Sequence, residues 1–411
     1  MPSKLAFALT LALTLPALAA EGPLIDSMDD LSSFNPAKEK GRLESVDGKV
    51  GKAIKFSFDN ECSGIFFMGK VRANAEWDKA AGISFWVKGD GSGHCGGLQF
   101  IFNEDYAVRY TGIFPIDSTE WKKVVIPWRD LIPVMNVPGS KPLDPKDSKG
   151  ANPPSKLSGV WFGKWWFWKD YAAHSYAIDE LRLEPTIELD NNEFKPAGDP
   201  LARVQAKLKA GKPVTIVTMG DSLTDYSHNS NQVTNWPTML KQKLKEKYKF
   251  EVTIVNPAIG GTELRQNALL IPRWAKTCPE PDLVTINFGG NDYNSMTGAN
   301  MDGAARGAMF YDTYKDAIDR VRRATKGKAD VLVLTPIPGV ERWKEYAELV
   351  EASKKAGKEK SAGIADTDAA FHEAGKDNKE RLFASDKIHL GAPGQETVAN
   401  TVIAAIEKGG K

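Results

Sequence analysis

The chain has 411 residues, of which 42% are hydrophobic and 26% are charged, a composition typical of a globular protein of about two domains. Its 54 basic and 53 acidic residues leave a formal net charge of +1. This balance excludes a strongly basic or acidic surface, so neither nucleic acid nor an anionic membrane is expected as the main partner.

The first twenty residues have the pattern of a secretory signal peptide. Lys4 precedes an apolar run from Leu5 to Leu15, and Ala17-Leu18-Ala19 provides a small-x-small cleavage site. That run is too short to cross a bilayer, and no later segment of the sequence is long and apolar enough, so membrane insertion is not expected. We therefore expect an exported protein, secreted or periplasmic, from which residues 1–20 are removed.

Three cysteines would then lie in an oxidising compartment: Cys62, Cys95 and Cys278. A disulfide between Cys62 and Cys95, with Cys278 left over, is one alternative. Three free thiols are the other, because spacing along the sequence does not fix the distance between two cysteines.

Residues 21–185 are predicted to form an all-β sandwich of the jelly-roll type. Short segments alternate apolar and polar residues, as in Ala53-Ile-Lys-Phe-Ser-Phe58, and Gly, Asp, Asn and Ser clusters separate them. Many short strands with turns between them are typical of this architecture. A surface loop is expected over Lys141–Pro154. The predicted strands are Ala53–Phe58, Gly64–Val71, Gly82–Lys88, Leu98–Asn103, Val108–Ile116, Trp121–Pro127, Gly159–Trp168 and Tyr176–Leu183.

Eight of the eleven tryptophans lie in this half of the chain. Large aromatic rings either fill the core of a small sandwich or form a flat face that stacks on sugars. On a strand from Gly159 to Trp168, alternation would place Trp166 and Trp168 on one face and Trp165 and Phe167 on the other. We therefore take Trp166 and Trp168 as candidate substrate-binding residues, with core packing as the alternative for each.

Two segments, Ile83-Ser-Phe-Trp-Val-Lys88 and Trp121-Lys-Lys-Val-Val-Ile-Pro-Trp128, resemble galactose-binding-like jelly-roll carbohydrate modules. The resemblance implies a sugar-binding role for this half of the chain. Modules of this shape often hold a structural calcium ion, for which Asp26 and Asp179 are the candidate ligands. The alternative is that both are ordinary surface carboxylates.

Beyond a linker at residues 186–200, strand and helix patterns alternate through residues 201–411. This alternation predicts a mostly parallel sheet covered by helices on both faces, with the functional site beyond the carboxyl ends of the strands. The predicted strands are Val214–Met219, Val252–Asn256, Leu283–Phe288, Val331–Thr335 and Ile364–Asp366. The predicted helices are Leu201–Leu208, Trp236–Tyr248, Leu264–Ala275, Phe310–Thr325, Trp343–Ala356 and Ala392–Glu407.

Two of the loops in this half carry a candidate nucleophile and its base. Gly220-Asp-Ser-Leu223 follows the first strand directly and presents Ser222. Asp386-Lys-Ile-His389 precedes the last helix. A serine nucleophile needs a base to accept its proton and a third group to orient that base. His389 is the expected base, and Asp386 is the expected orienting group.

Two other loops carry candidate hydrogen-bond donors for an oxyanion. Asn256-Pro-Ala-Ile-Gly-Gly-Thr262 follows the second strand, and Gly289-Gly-Asn-Asp292 follows the third. A tetrahedral oxyanion requires donors that are already in place. The candidates are the backbone N–H of the nucleophile, a glycine N–H from Gly261 or alternatively Gly260, and the side-chain amide of Asn291.

Other polar residues near these loops are interpreted as structural, surface or pocket-lining residues. His228 is interpreted as a solvated loop residue and His372 as a helix-surface residue, and Asp292 is expected to brace its turn. Asp225 and Asn235 are candidate pocket-lining residues. No Cys and His cluster with metal-ligand spacing lies near the site, so no catalytic metal or other cofactor is expected.

The four loops, in this order along residues 200–409, resemble the SGNH (or GDSL) hydrolases. The resemblance implies a three-layer α/β/α sandwich with a flavodoxin-like parallel sheet. The Gly-x-Ser-x-Gly elbow of the α/β-hydrolases is absent, because residue 224 is Thr. The site residues that the resemblance implies are Ser222, Asp386 and His389 as the triad and Ser222, Gly261 and Asn291 as the oxyanion hole.

These features predict an exported serine esterase that removes acyl groups, in the first place acetyl groups, from a polysaccharide or glycan. A jelly roll joined to an SGNH domain is similar to the architecture of several bacterial carbohydrate acetylesterases. The alternatives are a lipid or aryl esterase of the lysophospholipase kind and a glycan-binding protein without catalysis.

The pH dependence of such an esterase follows from its base. A histidine must be neutral to accept the serine proton, and an imidazole in water titrates near pH 6.5. The kcat/KM for p-nitrophenyl acetate is therefore expected to fall below about pH 6 to 7. A profile that stays flat down to about pH 4 would exclude His389 as the base.

Overall fold

The computed structural model describes residues 22–35, 39–134 and 152–409. The expected signal peptide at residues 1–20 and most of the expected loop at Lys141–Pro154 lie outside these ranges. Across the described ranges, no helix has the length and apolarity needed to span a bilayer.

The first part of the chain folds into two antiparallel sheets that pack face to face. One sheet has the strand order β2-β3-β11-β5-β8, with β1 paired to β11, and the other has the order β4-β10-β6-β7-β9. Alternate residues of the strands, such as Phe56, Phe100 and Phe162, point into the core between the sheets. This confirms the predicted β-sandwich. Its strands are β1 (Leu24–Asp26), β2 (Gly41–Asp47), β3 (Lys52–Phe58), β4 (Ile65–Lys70), β5 (Gly82–Gly89), β6 (Cys95–Phe102), β7 (Asp105–Pro115), β8 (Lys122–Pro127), β9 (Ile132–Pro133), β10 (Leu157–Lys164) and β11 (His174–Glu184).

The tryptophan run after β10 is not part of the strand, contrary to the predicted strand Gly159–Trp168. Lys164 pairs with Ile65, the first residue of β4, so β4 provides no partner for β10 beyond that pair. Residues Trp166–Trp168 instead form a 3₁₀ turn. The expected alternation of faces is therefore wrong: Trp168 is buried, whereas Trp166 is 46% exposed.

The second part of the chain is a three-layer α/β/α sandwich. Its five strands are all parallel, in the order β13-β12-β14-β15-β16. Apolar residues of the strands face both ways: Ile216 and Leu332 pack against α1, α2, α8 and α9, and Val284 and Val333 pack against α3, α4, α6 and α7. The predicted fold class is confirmed. The strands are β12 (Val214–Gly220), β13 (Val252–Val255), β14 (Leu283–Asn287), β15 (Asp330–Leu334) and β16 (Gly363–Ala365), and the helices are α1 (Ala202–Lys209), α2 (Trp236–Tyr248), α3 (Leu264–Leu269), α4 (Ile271–Thr277), α5 (Gly290–Gly298), α6 (Gly303–Thr325), α7 (Ala347–Glu359), α8 (Thr367–Ala374) and α9 (Ala392–Lys408).

The helices differ from the predicted ones in several places, two of which are that α7 begins at Ala347 instead of Trp343 and that α8 is not among the predicted helices. The predicted helix Leu264–Ala275 is two helices, α3 and α4, and Pro272 in the first turn of α4 is suited to a helix start because it lacks an N–H. Helix α6 begins before Phe310, because Asp302 caps it by accepting a hydrogen bond from the N–H of Ala305. Helix α5 is missed, since Gly289-Gly290 is a turn signal in the sequence.

An apolar cluster joins the two parts of the chain. Ile132, Phe167 and Trp168 of the first part pack against Leu269 and Leu270 of the second. These five side chains are almost completely buried. The carboxyl edge of the parallel sheet therefore has the first part of the chain fixed beside it.

Basic side chains of the second part also bind the first part across this boundary. Their acceptors are backbone carbonyls and carboxylates, and a hydrogen bond from a charged donor is stronger than one between two neutral groups. The pairs are Arg265–Pro133 O (2.7 Å), Arg273–Asp170 (2.8 Å), Lys276–Asp117 and Arg320–Asp130 O (3.1 Å).

All three cysteines are free thiols. Cys62 belongs to the core of the sandwich, whereas Cys95 packs at the cluster between the two parts. The predicted alternative of a Cys62–Cys95 disulfide is therefore wrong.

Candidate active site

Strand β12 ends at Gly220, and the turn that follows presents Ser222. The backbone N–H groups of Thr224 and Asp225 both bind the carbonyl of Asp221, at 3.0 and 2.9 Å, which closes a tight turn around the serine. A side chain at Gly220 would lie 2.3 Å from Thr224 Oγ1, so this turn requires glycine there.

The buried side-chain amide of Asn231 supports the segment that carries Ser222. Asn231 is completely buried, and its Nδ2 donates to the carbonyls of Ser222 (2.6 Å) and Asp225 (2.8 Å). Gln395 in α9 donates to Asn231 Oδ1 at 2.8 Å and accepts from the N–H of Trp236, also at 2.8 Å. Nothing in the sequence marks Asn231 or Gln395, because they meet only through the packing of α2 against α9.

Ser222, His389 and Asp386 form a continuous hydrogen-bonded chain. His389 Nε2 lies 3.0 Å from Ser222 Oγ, and His389 Nδ1 lies 2.7 Å from Asp386 Oδ2. A proton on Nδ1, directed at the carboxylate, leaves Nε2 as the acceptor for the serine proton. The two loops that carry these residues are far apart in the sequence and come within direct hydrogen-bond distance in the fold.

The Asp386 carboxylate is held in its charged form. Partial burial acts to raise its pKa, but the N–H of Ile388, at 3.0 Å, and the contacts with His389 outweigh this effect and lower the pKa to about 2. Asp386 is therefore an anion at any pH where a histidine base could work.

His228 packs on the ring of His389 and is not a solvated loop residue, so that interpretation is wrong. The two ring centroids are 4.0 Å apart and the planes are 27° from parallel. Burial, and then the charge of His389, lower the pKa of His228, which favours a neutral ring beside the base. Its Nδ1 lies 2.8 Å from Ser230 Oγ, which fixes its orientation.

His372 lies where the sequence places it, on the surface of α8. It pairs with Asp368 one helical turn earlier at 3.4 Å, and its ring contacts Trp343. It therefore has no part in the chain of hydrogen bonds that reaches Ser222.

The two glycines of the loop after β13 have different roles. The N–H of Gly260 donates to Asp225 Oδ2 at 2.7 Å, and a side chain at Gly260 would lie 3.5 Å from Ser222 Cβ. Gly261 has a φ of +80°, which favours glycine. Among the described residues, neither the N–H of Gly261 nor that of Ser222 has a hydrogen-bond acceptor. Of the two alternatives, the geometry favours Gly261 as the oxyanion donor.

Asn291 opens helix α5 directly after β14. Its Nδ2 donates one hydrogen bond to the carbonyl of Thr262 at 3.0 Å, which ties it to the end of the glycine loop. Its second N–H has no acceptor in the part of the chain that the structure describes, so it is available to a ligand. Ser222, Gly261 and Asn291 thus bring three N–H donors to the carboxyl edge of neighbouring strands.

Buried acids support this edge. Asp292 accepts a hydrogen bond from the N–H of Leu264 at 3.1 Å, so it joins α5 to α3, in agreement with its expected bracing role. Burial, and then the nearby Glu263, raise the pKa of Asp292 well above the ordinary value for Asp. Burial also raises the pKa of Asp221 to about 6. The acids behind the nucleophile therefore favour the uncharged form more than exposed carboxylates do.

The two tryptophans predicted to bind substrate lie in different environments. The Cη2 atom of Trp166 lies 3.9 Å from the position that a Cβ on Gly261 would take, so this exposed ring stands beside the glycine loop. Trp168 is only 2% exposed and packs in the cluster between the two parts, so its prediction as a substrate contact is wrong.

The two polar candidates, Asp225 and Asn235, accept hydrogen bonds from backbone N–H groups. Asn235 caps α2, with its Oδ1 accepting a hydrogen bond from the N–H of Thr238 at 2.9 Å. The carboxylate of Asp225 accepts from Gly260 and from the N–H and Oγ of Ser227, at 2.8 and 2.7 Å. Both side chains therefore stabilise loops around Ser222.

The two candidate calcium ligands also bind backbone N–H groups. Asp26 accepts from Met28 at 2.7 Å, and Asp179 accepts from Val50 at 2.8 Å. Within the described ranges, no group of three or more His, Cys, Asp or Glu residues is arranged to hold a metal ion. Asp179 is completely buried and its Oδ1 has no hydrogen-bond partner among the described residues, so the expected calcium site stays a prediction.

A cavity of about 190 Å³ opens beside Ser222. Its wall is mixed: the apolar residues Leu223, Ile337 and Ile388 line it, and ionisable groups reach it from three separate segments. Its lining includes Asn291, Asn294, Glu341, Arg342, Tyr346 and Lys387.

Comparisons with known proteins agree with this architecture. Residues 218–397 match the GDSL-like lipase/acylhydrolase family, and residues 19–149 match the carbohydrate-binding domain of family 11. A curated relative, a mannan endo-1,4-beta-mannosidase of Bifidobacterium adolescentis, is 26% identical over 188 residues, which are 43% of this chain and 18% of that protein. The chain therefore covers less than a fifth of the length of the curated relative that it matches.

Solved structures match each part separately. An acetylxylan esterase from Geobacillus stearothermophilus has 23% identity and a TM-score of 0.38, over 47% of this chain and 94% of that one. A family 11 carbohydrate-binding module from Clostridium thermocellum has 17% identity and a TM-score of 0.33, over 42% of this chain and 99% of that one. The two family matches confirm both predicted resemblances: the chain joins a family 11 carbohydrate-binding domain to a GDSL-like acylhydrolase domain of the SGNH type.

Proposed function

We propose that this protein hydrolyses O-acetyl esters on a polysaccharide or glycan, with Ser222 as its nucleophile. One observation carries the proposal. Ser222 lies 3.0 Å from the imidazole of His389. Trp166, an exposed tryptophan of the carbohydrate-binding half (the β-sandwich, residues 22–185), stands beside the adjacent glycine loop. A nucleophile for esters and a flat aromatic surface for a sugar thus meet at one place.

The acylation step follows from the hydrogen-bonded chain. Ser222 Oγ attacks the ester carbonyl carbon while His389 Nε2 accepts the serine proton. The carbonyl electron pair moves to the oxygen, which the N–H groups of Ser222, Gly261 and Asn291 stabilise. The carbon–oxygen bond to the sugar then breaks, the sugar oxygen takes the proton from His389, and acetyl-Ser222 remains.

Deacylation repeats these steps with water. His389 accepts a proton from a water molecule as that water attacks the acetyl carbonyl. The bond to Ser222 Oγ breaks, acetate leaves, and the serine regains a proton from His389. Asp386, an anion throughout, stabilises the imidazolium in both steps.

The cavity beside Ser222 favours a short acyl group over a lipid chain. Its volume is about 190 Å³, and charged groups from Glu341, Arg342 and Lys387 lie in its wall. An alkyl chain placed there would remove water from these groups without replacing their hydrogen bonds, which costs free energy. The small volume and these three charged groups are the specific observations against the lysophospholipase-like alternative.

The exposed tryptophan favours a sugar as the alcohol part of the ester. A flat indole face presents apolar area to the C–H face of a sugar ring, and its N–H remains available to a polar group. Trp166 lies in the carbohydrate-binding half and reaches the glycine loop of the hydrolase half. A glycan-binding protein without catalysis would have no need for the complete chain of Ser222, His389 and Asp386.

The test is acetate release from a panel of O-acetylated polysaccharides, together with p-nitrophenyl esters of short and long acids. We expect acetate from at least one polysaccharide, and faster hydrolysis of the acetate than of the palmitate ester.

Replacing Trp166 by Ala should raise KM for an acetylated oligosaccharide about tenfold, which corresponds to a loss of about 1.4 kcal/mol in binding free energy. Tyr171→Ala is the matched control, because Tyr171 is 47% exposed and Trp166 is 46% exposed.

Two results would contradict the proposal. Preferential hydrolysis of the palmitate ester would favour a lipid esterase. Binding of glycans by a folded protein that hydrolyses none of these esters would favour a non-catalytic role.

A further inference from the structure

The carbohydrate-binding half reaches the hydrolase half at a second point, the residue that follows the 3₁₀ turn. Lys169 has a φ of 51°, in the left-handed region, directly after Trp166–Trp168. Its side chain reaches the other half, where Lys169 Nζ lies 3.3 Å from Asp225 Oδ2. The pair bridges the two domains next to the nucleophile.

Asp225 sits between the nucleophile segment and the glycine loop. Its backbone N–H binds the carbonyl of Asp221 and its backbone carbonyl accepts from Asn231, so its main chain belongs to the Ser222 turn. Its carboxylate, in contrast, holds the N–H of Gly260 at 2.7 Å. The carboxylate therefore sets the separation between Ser222 and the loop that carries Gly261.

Four donors surround this carboxylate, and Lys169 is the cationic one. Ser227 occupies Oδ1 with its N–H and its hydroxyl, and Gly260 and Lys169 share Oδ2. The Asp225 side chain is 8% exposed and that of Lys169 is 38% exposed. A nearly buried anion is costly without a countercharge, and in this contact the countercharge comes from the carbohydrate-binding half.

Lys169 is itself held in place by the domain boundary. Phe167 and Trp168, the two residues before it, are buried in the shared apolar cluster. Asp170, the residue after it, binds Arg273 of α4 at 2.8 Å. The position of Lys169 is thus fixed on both sides along the chain.

We propose that Lys169 is a positioning residue for ester hydrolysis: through Asp225 and Gly260 it fixes the glycine loop that donates to the oxyanion, so that the carbohydrate-binding half is a working part of the catalytic centre. This inference rests on the proposed function. It implies that contacts between the two domains set kcat, in addition to any effect on substrate binding.

The test compares Lys169→Met with wild type in the full chain, using p-nitrophenyl acetate, a substrate without a sugar. We expect kcat to fall about tenfold, or about 1.4 kcal/mol in activation free energy, with KM changed less than twofold. Lys169→Arg, which keeps the charge, should retain kcat within about twofold of wild type. Lys276→Met is the matched control, since it removes another ion pair across the boundary, with Asp117, that does not reach the loop.

A double-mutant cycle separates positioning from general loosening of the interface. In an Asp225→Asn background, Lys169→Met should cause no further loss of kcat, because its partner charge is already gone. Thermal unfolding of each variant checks that it is folded, and if Asp225→Asn does not fold, the comparison of Met with Arg at position 169 decides.

Three outcomes would overturn the inference. They are a Lys169→Met enzyme with wild-type kcat, equal losses in Lys169→Met and Lys276→Met, and an undiminished effect of Lys169→Met in the Asp225→Asn background. A wild-type protein that does not hydrolyse p-nitrophenyl acetate would overturn the proposed function and this inference together, whereas an active wild type with an equally active Lys169→Met would overturn only the inference.

Discussion

Replacing Ser222 by Ala should lower kcat for p-nitrophenyl acetate by about 10⁴- to 10⁶-fold, the range found when a serine triad loses its nucleophile. Within residues 22–35, 39–134 and 152–409, the Ser222 side chain makes one hydrogen bond, to His389, so its loss should leave the fold intact. The melting temperature should therefore change by less than about 3 °C.

Ser63→Ala provides the control for this substitution. Ser63 is exposed and lies in the carbohydrate-binding half, so its replacement should leave kcat unchanged. If Ser222→Ala retained more than a tenth of the wild-type kcat, the nucleophile would have to be another group.

Asp386→Asn should lower kcat by about 10³- to 10⁴-fold, because an amide cannot stabilise the imidazolium and can favour the wrong tautomer of His389. Asparagine keeps one oxygen to accept the N–H groups of Ile388 and His389, which lie 3.0 and 2.9 Å from Asp386 Oδ1. The loop should therefore keep its shape while losing its charge.

The pH dependence of this loss gives a second readout. The pKa of Asp386 is lowered to about 2, so the wild-type carboxylate is fully charged at neutral and alkaline pH. The ratio of wild-type to variant kcat should therefore be constant between about pH 7 and pH 9. Glu380→Gln, which removes the carboxylate that pairs with Lys387 in the same region, should leave kcat unchanged. A variant Asp386→Asn with near wild-type kcat would remove this residue from the mechanism.

The convergence of three of the four candidate loops could be predicted because it follows from the topology. Parallel strands present their carboxyl ends at one edge, so Ser222, the glycine pair and Asn291, which follow three neighbouring strands, meet there. His389 joins them from the loop before α9. Local sequence patterns were sufficient for this part because each loop directly follows or precedes a regular element.

The parts that depend on contacts between distant segments could not be predicted. Trp168 is buried because the pairing of β10 with β4 ends at Lys164, before the tryptophan run. The periodicity of a strand does not reveal where its pairing ends. The stacking of His228 on His389 and the support of Ser222 by Asn231 depend on the path of a loop without periodicity. The ion pair of Lys169 with Asp225 depends on how two domains dock.

The contacts at the domain boundary fix the two halves of the protein relative to each other. Apolar packing around Phe167 and Leu269 and ion pairs such as that of Arg273 with Asp170 hold the two halves together at the carboxyl edge of the sheet. The carbohydrate-binding half is thereby fixed with the exposed ring of Trp166 beside the glycine loop. On this account, binding and hydrolysis share one surface.

The central claim, that Ser222 is the alcohol that His389 activates, is tested most directly by covalent labelling. The full chain is treated with a fluorophosphonate, digested and analysed by mass spectrometry, alongside the His389→Ala variant. The account predicts a single phosphonylated residue, Ser222, in the wild type and labelling slowed by at least about 100-fold in the variant. Labelling of a different residue, or equally fast labelling without His389, would contradict it.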